Sequence, residues 1–143
     1  MKLSALYFAG IAAAIYSLPA SAHHSFAMFD ADKKMTVTGT VKEFQWTNPH
    51  SWIIMEVPVA GGKSEEWKFE MGGPAALTKI GWQRGTVKPG DKITAMFHPL
   101  RDGHHGGQYM QVTLADGKKL GSDTARYDDG GGQLNRRGDR DAN

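Results

Sequence analysis

The sequence predicts an all-β fold, a small barrel of five strands with one short helix between the third and fourth. Three observations predict it. Apolar residues recur at every second position over residues 35–120, turn-forming Gly, Pro and Asn divide that run, and one stretch carries helical rather than strand signals.

The first strand begins at Met35, where Met35, Val37, Gly39 and Val41 alternate with Thr36, Thr38, Thr40 and Lys42. The apolar phase then slips by one residue to Phe44 and Trp46, and such a slip within one long strand predicts a β-bulge, assisted by Gly39. Asn48 and Pro49 interrupt the strand, and residues 51–57 resume it with Ile53, Met55 and Val57 on one face. After a turn at Ala60, Gly61 and Gly62, Trp67, Phe69 and Met71 alternate with Glu66, Lys68 and Glu70 in a third strand. Gly72 and Gly73 end it, Pro74 suits the first turn of a helix over the following AALTKI, and Gly81 stops that helix. A turn at residues 88–91 leads to a fourth strand, with Ile93, Ala95 and Phe97 on one face and Thr94, Met96 and His98 on the other. Met110, Val112 and Leu114 mark the fifth. Three antiparallel strands, a helix and two more strands, the first strand bent by a bulge, is the element order of the oligonucleotide/oligosaccharide-binding (OB) barrel. An SH3-like barrel or small sandwich shares many of these strands but does not need the helix.

The organisation along the chain is threefold. Residues 1–22 combine Lys2, an apolar run over residues 6–18, Pro19 and the small Ala20 and Ala22, which is the layout of a secretory signal peptide cleaved after Ala22. The apolar run is shorter than the roughly 20 residues a membrane span requires, so no transmembrane segment is expected after cleavage. Export to the periplasm, or onward to the outside of the cell, follows. No twin arginine precedes the run, so the chain is expected to cross unfolded. Residues 23–120 make one domain by length. Residues 121–143, with three consecutive glycines and few apolar side chains, are expected to be a disordered polar tail.

Composition closes off several functions. Lys and Arg number 17 against 15 Asp and Glu, with no basic cluster in the folded part, so a nucleic-acid footprint is not expected. Cysteine is absent, which excludes thiol catalysis, zinc–thiolate sites and iron–sulfur clusters and leaves the exported domain without disulfides. Glu65 and Glu66 fall in a turn where nothing raises a carboxylate pKa, Ser25, Ser51 and Ser64 lack the surroundings of an activated nucleophile, and no glycine run carries the Lys-Ser/Thr of a phosphate loop. The chain is therefore expected not to be an enzyme.

Six histidines form the constellation that stands out. His23 and His24 open the chain after cleavage, His50 lies in the connection between the first two strands, and His98, His104 and His105 fall in HPLRDGHHGG between the last two. In an OB barrel these two connections flank the ligand-binding face, so histidines distant in sequence can converge. Cleavage also gives His23 an α-amine beside its ring nitrogen. Amine and imidazole nitrogens without thiolate suit copper(II), nickel or zinc, copper having the highest intrinsic affinity. Such a site needs neutral imidazoles and weakens below about pH 6. A plain reading stands beside this one: His104 and His105 solubilise a glycine-rich loop, and Asn48-Pro49-His50 is a structural corner in which the Asn48 side chain bonds backbone groups. Met28, Met55, Met71, Met96 and Met110 raise the idea of soft copper(I) ligands, but most lie in phase with apolar neighbours and read as core filling. Trp67 and Trp46 share the core phase, leaving Trp52 as the tryptophan exposed for stacking on a ligand.

The phrases AHHSFAMFD, TGTVKEFQWTNPHSW, EMGGPAAL, GW, KPGDKIT and PLRDG, in that order, resemble domain-of-unknown-function family 6152, a family of small exported bacterial proteins, over residues 22–120. The resemblance implies export and a β-barrel, and it carries no established activity. It marks His23, His24, Phe26, Asn48, Pro49, His50 and Trp52 as family-like positions, while His104 and His105 depart from the family pattern.

The function expected is a non-enzymatic periplasmic binding protein that takes copper or another divalent transition metal through His23, His24 and His50, with His98 as a further candidate. The alternative is an envelope interaction or structural module whose barrel face, with Trp52 and Asn48, holds a peptide, glycan or protein partner.

Overall fold

The computed structural model describes residues 26–123, 126–127 and 134–135. The expected signal segment, His23 and His24 lie outside the described residues. Five strands form where the alternation runs: β1 (Met35–Gln45), β2 (Trp52–Val59), β3 (Lys63–Glu70), β4 (Lys92–Pro99) and β5 (Gly106–Thr113), with helix α1 (Pro74–Lys79) between β3 and β4. A short sixth strand, β6 (Lys119–Gly121), extends the sheet beyond β5. The sheet order is β3-β2-β1-β4-β5-β6, and a parallel pairing of β3 with β5 closes the first five strands into the predicted OB-like barrel.

β1 serves two neighbours in succession. Its first half pairs with β4, from Met35 opposite Phe97 to Thr40 opposite Lys92, and its second half with β2, from Thr40 opposite Glu56 to Gln45 opposite Trp52. The register shifts between Val41 and Glu43, so Lys42 is the bulged residue and the predicted slip is real. Gly39 is not its cause. It sits in regular register opposite Ile93, and its missing side chain leaves room for the Glu56 carbonyl, into which a Cβ would collide.

Closure rests on two glycines that read as loop in the sequence. Gly106 and Gly107 begin β5 opposite Lys68 and Phe69 of β3, and a Cβ on either would strike backbone oxygen, that of Lys68 or that of His98. A glycine pair thus lets three strands approach at one place.

Val41, Ile53, Met55, Phe69, Ile93, Phe97 and Val112 fill the barrel, joined by Leu77 of α1 and by Trp82 and Val87 from the segment after it. Pro74 occupies the start of α1, and Gly81, at φ 90°, follows its end. Trp82 is fully buried, yet its polar atom is provided for: Nε1 donates to the Tyr109 hydroxyl at 2.9 Å, which donates to the Leu120 carbonyl at 2.7 Å. This chain of bonds ties β5 and β6 to the segment behind α1.

Ahead of β1, a short 3₁₀ turn at Phe26–Met28 leads into a strap over the end of β4. Phe29 bridges Leu100, Asp30 N–H donates to the Pro99 carbonyl at 2.8 Å, and Arg101 N–H donates to the Met28 carbonyl at 2.9 Å. Beyond the barrel, Arg126–Tyr127 (β7) pairs with Leu134–Asn135 (β8) in a separate two-stranded ladder, and the rest of the expected tail lies outside the described residues. Among the described residues no helix is long and apolar enough to cross a membrane.

Candidate functional site

Strand alternation turns Trp52 of β2 and Glu66, Lys68 and Glu70 of β3 to the outer face of the barrel, opposite to the buried Ile53 and Phe69. Over that face runs a groove of about 390 Å³, walled by Met28 and Phe29 of the strap on one side and by Leu100, His104 and His105 on another. The connection between β4 and β5 therefore borders the β2–β3 face, as the OB arrangement predicts.

His50 stands beside this groove. Trp52 is opposite Glu70 in the β2–β3 ladder, and the His50 ring reaches the same carboxylate, with Nδ1 against Glu70 Oε1. The loop holding it contains a cis Asn48–Pro49 peptide and is held by two hydrogen bonds: Thr47 Oγ1 donates to the His50 carbonyl at 2.7 Å, and Ser51 N–H donates to the Gly72 carbonyl at 3.2 Å. Asn48 is itself exposed, its side-chain oxygen lying beside Gly73. An Nδ1–H given to Glu70 leaves Nε2 with a lone pair, the form in which an imidazole binds a metal or accepts a proton. Burial pushes the Glu70 carboxyl above the usual range, and His50 opposes that shift by charge and hydrogen bond. Glu70 was not among the residues singled out from the sequence; its signal was its outward phase on β3 across from Trp52.

The remaining histidines separate. His98 belongs to β4 rather than to the connection after it, is 4% exposed, and donates from Nδ1 to the Lys33 carbonyl at 2.7 Å. The strap covers it, so its described role is to pin that strap. His104 Nδ1 lies 3.0 Å from Asp102 Oδ2, and the His104 backbone N–H bonded to Asp102 holds that carboxyl below the usual carboxylate range. His105 Nδ1 is 3.3 Å from Glu65 Oε2, and its ring lies flat on Trp67, centroids 4.8 Å apart and planes 7° from parallel. Trp67 is half-buried, and its Nε1 has no hydrogen-bond partner. A second cavity of about 390 Å³, lined by Met35, Trp67 and Arg101, also borders the His104–His105 loop. Among the described residues no three His, Asp or Glu side chains converge as a metal-ligand set.

A family model described as "Family of unknown function (DUF6152)" matches residues 12–110. Among curated proteins none matches the chain. Of solved structures, a mitochondrial single-stranded DNA binding protein of S. cerevisiae, Rim1, is similar at 12% identity and a TM-score of 0.46, over 58% of this chain and 93% of that one.

Proposed function

The chain belongs to the family of unknown function DUF6152, and from that premise we propose that it is an exported, periplasmic, non-enzymatic binding protein for a divalent transition metal, copper(II) foremost. His50 is the anchoring ligand, His23 and His24 complete the set, and His98 is left out because its ring is buried against Lys33.

The observation that carries this reading is the pairing of His50 with Glu70 at the groove. Metal-binding imidazoles characteristically donate their other ring nitrogen to a carboxylate, which fixes tautomer and direction and raises basicity. Chain connectivity supports the partners: Met28, which lines the groove, lies five positions after His23, so the start of the cleaved chain is tethered close to the groove. Imidazole and terminal amine favour copper over zinc in intrinsic affinity. The non-enzymatic part of the reading draws on Ser51, the hydroxyl next to His50 in sequence, which is fully buried with Oγ turned to the Thr47 carbonyl.

Copper(II) titrated into the chain beginning at His23 is expected to bind stoichiometrically, and at least about tenfold more weakly when one extra residue precedes His23 or when His50→Gln is introduced. Equal affinity in all three would overturn the reading.

A second reading has its own support: Trp52 lines a groove large enough for a sugar ring or an apolar side chain, which fits an envelope module holding a glycan, peptide or protein partner. It expects Trp52→Ala to abolish partner capture from an envelope extract while His50→Gln preserves it. Unchanged capture by the Trp52 variant would remove this reading.

A further inference from the structure

Among the described residues the exposed large apolar side chains are two methionines, Met28 at 46% and Met35 at 43%. Of the five methionines that the sequence reads as mostly core, Met55, Met71 and Met110 are buried and Met28 is not. Both exposed thioethers share a cavity lining with one loop: Met28 lines the groove, Met35 lines the second cavity, and His104 and His105 line both. Each of these imidazoles has Nδ1 against a carboxylate, Asp102 or Glu65, which leaves its Nε2 lone pair for another partner.

We propose that Met28, Met35, His104 and His105 form a site for a soft monovalent ion, copper(I) or silver(I), separate from the His50 site. Thioether sulfur with imidazole nitrogen is a soft donor set that selects copper(I) over hard cations. Methionine has three rotatable side-chain bonds, and at exposed positions those bonds stay free to swing sulfur toward the loop. Asp102 and Glu65 orient the two rings, as carboxylates do behind metal-binding histidines.

The test uses the whole chain from His23 under anaerobic conditions. Copper(I) presented by a chromogenic chelator is expected to transfer to the protein, with affinity falling at least tenfold in the Met28→Leu/Met35→Leu double variant and in His104→Gln/His105→Gln. Copper(I) transfer survives His50→Gln. In the unaltered protein with isotope-labelled methionine methyls, silver(I) moves the Met28 and Met35 resonances and leaves Met55, Met71 and Met110 in place. Unmoved Met28 and Met35 signals, or full copper(I) affinity in the double leucine variant, would overturn the proposal. Because the site shares no ligand with His50, failure of copper(II) binding there leaves this outcome independently readable.

Discussion

Glu70 holds two opposed tendencies at one carboxyl. Burial on the groove wall disfavours its charge, while the His50 ring favours it, and burial prevails. A carboxyl whose pKa is raised on folding binds its proton more tightly in the folded state, so it subtracts stability as pH rises through that interval. Wild type should therefore lose thermal stability relative to Glu70→Gln as pH rises above the usual carboxylate range, as measured by unfolding midpoints at a series of pH values. The opposite slope would mean that attraction to His50 outweighs burial. The same variant should weaken copper(II) binding by about tenfold, because an amide oxygen is a weaker acceptor for the imidazole N–H than a carboxylate. Residue identity at this site was only half legible in the sequence. His50 and Trp52 stood out by type and position, whereas Glu70 gained its meaning from a cross-strand register that no local pattern records.

At the scale of elements, the strands and α1 were readable because each carries its own signal: period-two alternation for β1 to β4, proline and glycine bracketing for the helix. What local signals left out is what depends on contacts from elsewhere. His98 alternates with the core face of β4 and so reads as solvent-facing, but the strap ahead of β1 covers it and takes its Nδ1 hydrogen. Gly106 and Gly107 follow two histidines in a composition typical of loops, yet they begin β5 because the approach of β3 and β4 forbids any side chain there. Met28 matches the core methionines in type and leaves them in fact, since the turn that carries it lies outside the barrel. The bulge was legible as a phase slip while its glycine was misassigned, because alternation reports where register breaks and not which residue bears the strain.

For the whole molecule, the barrel wall is uneven. β2 and β3 are joined by eight residue pairs through a tight turn, whereas the parallel contact between β3 and β5 consists of three: Lys68 with Gly106, Phe69 with Gly107, and Glu70 with Gln108. Hairpins form between neighbours in sequence, but the β3–β5 contact must wait until α1, the following segment and β4 are in place, and long-range pairing bears the larger loop-closure entropy. That line is consequently expected to be the zip of the cylinder, fastened last on refolding and first to part in native fluctuations. Amide-exchange labelling should find Lys68 and Gln108 protected later than Ile53 and Met55; simultaneous protection would show that the staves assemble together. His105 is tied to this zip, its carbonyl accepting from Lys68 N–H at 3.3 Å, so an ion clasped by its ring would act as the slider, slowing solvent exchange along the line.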